Sequence, residues 1–213
     1  MFVTLVVMQI VTGASQPHFE VIHPPDSYAA QMTAHAGWLR IVIWLDDIFI
    51  GCYVGAIVFG VLALPRRAAS AFVLAGGIMV GLLDLEENHH LLALLRSAED
   101  GLPIAVGDLV RRMDLSSTKF AIGHLAAFFL AFLVPGQSGA ARALRALCFV
   151  QLPIGMAGVV WDGAIPIQLA RAACFTTTYL LLAVVVARLA PVALEAGSGV
   201  RASFPGRTRG AAG

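Results

Sequence analysis

Apolar residues in this chain run in long blocks, each closed by a short polar or Gly/Pro-rich break. Blocks at about 37–64, 68–96, 104–134, 139–161 and 168–190 each exceed the ~20 residues a helix needs to cross a hydrocarbon core of ~30 Å. The breaks are marked by Pro65-Arg66-Arg67, by Asp100-Gly101-Leu102-Pro103, by Pro135-Gly136 and by Asp162-Gly163, all turn-forming sequences that cannot continue a helix. Residues 2–13 are apolar but short, with no preceding Lys or Arg to make a signal peptide, so they form a candidate short N-terminal helix. Between them and the first long block, residues 15–36 carry Pro17, Pro24, Pro25, three histidines and two acids, the pattern of a polar loop holding a short interfacial helix.

The pattern predicts an all-α, polytopic transmembrane helical bundle with five firm spans plus the short N-terminal sixth. It forms a single domain over 1–194, followed by a disordered cytoplasmic tail over 195–213 that is rich in Gly, Arg, Ser and Ala. No internal repeat is visible.

Composition reinforces the membrane reading. Of the 213 residues, 59% are hydrophobic and only 13% charged, about half the ~25% typical of soluble chains. A net charge of +1 offers no basic stripe for nucleic acid. The three cysteines, Cys52, Cys148 and Cys174, all fall inside apolar blocks and lack metal-type spacing, which makes them packing residues. Arginines divide unevenly. Arg66, Arg67, Arg142, Arg145, Arg188 and the tail arginines share one side, against Arg40, Arg96, Arg111, Arg112 and Arg171 on the other, which predicts a multi-pass protein of the cell membrane with a cytoplasmic C-terminus.

Candidate chemistry then follows from where polar residues interrupt the apolar blocks. Around Pro65-Arg66-Arg67 the sequence is mirrored, with Trp44, Asp47, Gly51 and Gly55 before the turn and Gly77, Gly81, Asp84 and Asn88 after it. In an antiparallel hairpin this mirror predicts Gly51 opposite Gly81, Gly55 opposite Gly77, and Asp47 opposite Asp84. Two carboxylates so placed must share a proton, pair with a cation or hold a metal. Glu87 continues the Asp84 seam, and Lys119, on a small-residue stripe with Ser116, Gly123 and Ala127, supplies the one ammonium that could hold a carboxylate ionised. Asp47, Asp84, Glu87 and Lys119 are therefore the expected catalytic residues.

His90 and His124, with a carboxylate, are the expected ligands should a divalent metal be the cofactor. His124 lies five residues beyond Lys119, about 140° around the helix, so the two point to different faces. Glu86 with His89 and Glu87 with His90 have the Glu-x-x-His spacing of di-metal bundles, but such sites need that motif twice. Glu86, His89 and the loop histidines read as wetted helix ends. No Gly-x-Ser-x-Gly, His-Glu-x-x-His or phosphate-binding Gly-Lys-Ser/Thr loop is present.

The expected function is an integral membrane enzyme acting on a lipophilic isoprenoid or lipid substrate, at a pocket near the extracytoplasmic side. Its chemistry would be acid-base isomerisation or cyclisation, or metal-assisted hydrolysis. Two other classes compete with it: a proton- or metal-coupled transporter, and a non-catalytic assembly subunit whose glycine seams bind a partner helix.

Overall fold

The computed structural model describes Phe19, residues 24–160 and residues 165–201. Every element among them is an α-helix: α1 Pro25–Ala34, α2 Ala36–Ala63, α3 Ala68–Glu99, α4 Val106–Leu130, α5 Gly139–Val160 and α6 Ile165–Arg201. The candidate N-terminal helix and the Asp162-Gly163 break lie outside the described residues. The final helix runs to Arg201, past residue 195 where the composition predicts a disordered tail, and the rest of that tail is not described.

Four helices are long and apolar enough to cross a membrane: α2, α3, α5 over Gly139–Gly158 and α6 over Leu169–Leu189. The chain is thus built as a multi-pass membrane protein. Its exception is α4, expected as a firm span, which carries Asp108, Arg111, Arg112, Asp114 and Lys119 within its first fourteen residues. Part of that charge is buried against its neighbours: Arg112, Ser116, Lys119 and His124 all face protein.

Local chemistry sets the turns. Helix α3 begins where the Ser70 hydroxyl accepts the Arg67 N–H at 3.1 Å, an N-terminal cap that opens the helix directly after the Pro65 turn. It ends at Gly101, whose φ of +69° lets the Leu102 N–H reach back to the Ser97 carbonyl at 2.8 Å.

Two apolar cores lie along the bundle. One joins Val61, Leu64, Val73, Leu130, Leu144 and Leu182 beside the Pro65 turn. The other joins Phe19, Tyr28, Met32, Leu91, Leu95 and Leu109 at the opposite end, where α1 caps α2, α3 and α4. Asp46 and Asp47 of α2, Asp84 and Glu87 of α3, and Arg112 and Lys119 of α4 fall between these two cores along their helices.

The hairpin register is displaced two to three residues from the mirror. Gly81 receives Val54, and Gly77 receives Ile57, so branched side chains of α2 fill the hollows on α3. A Cβ built on Gly51 or Gly55 would meet nothing within 4 Å. The physical reason lies in the faces of α2. Its inward stripe is Asp46, Ile50, Tyr53, Ile57 and Gly60, while Trp44, Ile48 and Gly51 lie on the outward one. Glycine against glycine would have left a void where a branched residue now packs.

Candidate functional site: a buried charge layer

Between the two cores, Lys119 of α4 reaches toward α3 and divides its ammonium between two carboxylates. Its Nζ lies 2.7 Å from Asp84 Oδ1 and 2.5 Å from Glu87 Oε2. The lysine side chain is 8% exposed, Asp84 15% and Glu87 0%, so these charges are almost wholly removed from solvent. Asp84 and Glu87 fall three apart on α3, one helical turn, which is why one ammonium can reach both.

Each carboxylate has a second partner. The Tyr53 hydroxyl of α2 donates to Asp84 Oδ2 at 2.5 Å, and Arg112 places its Nη2 3.5 Å from Glu87 Oε1. Arg112 is itself 1% exposed and donates from Nε to the Phe19 carbonyl at 2.7 Å and from Nη1 to the Glu87 carbonyl at 3.1 Å. Tyr28 of α1 donates to the same Phe19 carbonyl at 3.0 Å, so Phe19 is tied into the charge layer.

Asp47 and Asp84 are not paired in the manner the mirror predicts. In the displaced register Asn88 meets α2 instead, donating to Asp47 Oδ1 at 2.9 Å and to Asp46 Oδ2 at 3.0 Å, while Asp84 meets Tyr53. Of the four expected catalytic residues, the structure brings Asp84, Glu87 and Lys119 into direct contact, whereas Asp47 bonds to Asn88, the residue after Glu87 on α3.

Sequence reasoning missed Tyr53, Asp46 and Arg112. A signal for each was present. Tyr53 stands seven residues after Asp46, and Arg112 seven before Lys119, so each continues a stripe already marked by a charge.

His90 and His124 belong to separate surroundings. His90 is half-buried with Nε2 3.0 Å from the Asp108 carbonyl. His124 lies sixteen residues beyond Asp108 on α4, roughly 24 Å further along the helix at about 1.5 Å per residue. Among the described residues no group of three or more His, Cys, Asp or Glu is placed to hold a metal. His89 and Glu86 are exposed, with Glu86 paired to Arg111 at 2.7 Å.

His124 instead heads a neutral hydrogen-bonded chain across α4, α5 and α6. The Thr178 hydroxyl donates to the Cys174 carbonyl at 2.8 Å, so it must accept from Gln151 Nε2 at 3.1 Å. That turns Gln151 Oε1 toward His124 Nδ1, 3.0 Å away, and assigns the ring proton to Nδ1. Nε2 is left as a buried lone pair with no hydrogen-bond partner among the described residues. The ring lies 4.8 Å from that of Phe175 at a tilt of 31° and presses against Gly155, where any side chain would collide with it. Phe120 lies between two cations, its ring 4.9 Å from Lys119 Nζ and 3.5 Å from the Arg171 guanidinium carbon.

An apolar crevice of about 50 Å³ adjoins this region. Gly77, Val80, Gly123, Phe175 and Thr178 line it, together with Tyr179, whose ring is 6.2 Å from that of Tyr53. A tyrosine bonded to a buried carboxylate, with that carboxylate held by an ammonium, can pass a proton without moving a heavy atom far.

Comparison with known protein families, with curated proteins and with solved structures finds no match to this chain.

Proposed function

We propose that this chain is an integral membrane enzyme that isomerises or cyclises a lipophilic isoprenoid or lipid substrate by proton transfer at Asp84. The observation that carries the reading is Lys119 Nζ held between Asp84 and Glu87, nearly out of reach of solvent, inside a membrane-type helical bundle. Ion pairs of this kind are costly to bury, and charges within membrane helices mark functional pathways by default.

The geometry revises the roles expected from sequence. With Lys119 on one oxygen, Asp84 is the ionised base and Tyr53 its proton-carrying neighbour. The crevice beside Tyr179 marks where the substrate's apolar body meets the bundle from the bilayer. A proton leaves one carbon of the substrate for the Tyr53–Asp84 pair and returns to another, so the bonds rearrange without net gain or loss of hydrogen or electrons. Glu87 and Arg112 fix Lys119 in place.

The apolar core at the Pro65 end favours the enzyme over a carrier. Its buried members, among the described residues, are aliphatic side chains and one cysteine, which offer no polar route onward. In this reading α4 crosses the membrane as a fifth span with Arg112 and Lys119 turned inward. Arg112 and Arg171 are buried, so they leave the count of loop charges. The distribution of the remaining arginines supports, in the same reading, a Pro65 turn and a C-terminus on the cytoplasmic side.

Solvent deuterium provides a test that works on a mixture of candidate substrates. Membranes containing the protein, supplied with an isoprenoid and polar-lipid extract in D2O, should put deuterium into a lipophilic product, detected by mass spectrometry. Asp84→Asn and Tyr53→Phe should each reduce incorporation at least ~100-fold, the low end of a general acid-base contribution. Incorporation absent with the unaltered chain, or unchanged in both variants, would sink the proposal.

A further inference from the structure

The outward face of the α2–α3 hairpin carries a groove of about 230 Å³ that the bundle does not fill. Gly51 and Val54 form its α2 wall and Ile78 and Leu82 its α3 wall, with Asp47 at one end. The missing side chain of Gly51 opens it: a Cβ there meets nothing within 4 Å. Ile78 and Leu82 are exposed, as lipid-facing residues are.

Depth and charge together specify what fits. Asp47 stands seventeen residues from Leu64, where α2 ends, so it lies roughly 25 Å from the Pro65 turn, near the far boundary of a ~30 Å core. One turn beyond it Trp44 is 63% exposed, the position of an interfacial tryptophan. The groove therefore runs from the headgroup level into the hydrocarbon. Behind its acidic end lies the charge layer, whose cations among the described residues are Arg112 and Lys119. Those cations contact Asp84 and Glu87, whereas Asp47 is bound at Oδ1 by the neutral amide of Asn88. An amide donates a hydrogen bond without offsetting charge, so Asp47 presents a carboxylate at the membrane boundary that favours a cation.

We propose that this groove binds a membrane lipid with a primary ammonium headgroup, the ammonium on Asp47 and one acyl chain along Gly51 and Leu82. A primary ammonium donates hydrogen bonds to a carboxylate, whereas a quaternary one has no N–H to give. Headgroup selectivity is thus built into the site. This inference is independent of the proton-transfer reading, since the lipid is held whether or not it reacts.

Trp44 makes the test direct. The chain has three tryptophans, so Trp38→Phe with Trp161→Phe leaves Trp44 as the sole emitter. In phosphatidylcholine vesicles doped with brominated lipid, brominated phosphatidylethanolamine should quench Trp44 several-fold more strongly than brominated phosphatidylcholine or phosphatidylglycerol. Asp47→Asn should erase that preference, and Gly51→Leu, which fills the groove, should weaken it. Native mass spectrometry of the unaltered chain with the same three lipids, unbrominated, supplies a second measurement, with phosphatidylethanolamine adducts expected in several-fold excess. Equal quenching and equal adducts across the headgroups, or a preference that survives Asp47→Asn, would overturn the proposal.

Discussion

Around Lys119 the buried partners are Asp84 and Glu87, with Arg112 behind them; around His124 they are the amide of Gln151 and the hydroxyl of Thr178. The two centres sit about 140° apart on one helix, α4, and answer the same problem, a polar side chain in an apolar bundle, by different physics. The charged centre works by compensation: removing one member exposes the others to an environment that cannot solvate them. The neutral centre works by direction. Its bonds are fixed in sequence from the Cys174 carbonyl outward, and losing one member strands a single dipole. Charge concentrates the penalty, whereas a dipole chain divides it among bonds.

Lys119→Met is the sharpest attempt to break that contrast. It leaves Asp84 and Glu87 without their shared ammonium and should cost about 3–5 kcal/mol, read as a fall in thermal stability and in the yield of monodisperse protein in detergent. Gln151→Leu removes the middle of the neutral chain and should cost about 1–3 kcal/mol. Equal destabilisation by the two in the same melting assay would show that the centres do not differ as argued.

Glycine substitutions then test the packing that frames each centre. Gly155→Ala drives a methyl group into the His124 ring, and Gly81→Ala drives one into Val54, so each should lose about 1–3 kcal/mol by overpacking. Gly51→Ala, with open space before it, should change stability by no more than about 0.5 kcal/mol. Small effects are expected at the exposed pairs as well. Arg40→Ala and Arg111→Ala break contacts to Glu99 and Glu86 that lie in reach of solvent, and each should cost less than about 1 kcal/mol.

The sequence made the charge layer legible because a polar residue inside an apolar block is conspicuous whatever its partner. Asp84, Glu87 and Lys119 stand out on that ground alone, and the turns at Pro65 and Gly101 are marked by residues with few conformational choices. The hairpin register was not legible. Trp44-Asp47-Gly51 and Asp46-Ile50-Tyr53 are both plausible helical stripes one residue apart, and in a membrane the outward stripe is as apolar as the inward one. Hydrophobicity therefore carries no sign of which faces protein. Only packing decides, through the fit of Val54 and Ile57 into the hollows of Gly81 and Gly77. The neutral chain was hidden for a related reason: Gln151 and Thr178 come from separate apolar blocks, and no local spacing ties them to His124.

The partnership between α3 and α4 bears on how the protein is made. Helix α4 is the one long described helix without an apolar stretch sufficient to span a membrane, and its buried cations Lys119 and Arg112 pair with Asp84 and Glu87 of the helix synthesised just before it. Either helix alone would carry bare charge into lipid, whereas the two as a neutralised hairpin would not. With α4 as the proposed fifth span, biogenesis should treat α3 and α4 as one cargo, with α3 waiting at the insertion machinery until α4 emerges from the ribosome to join it.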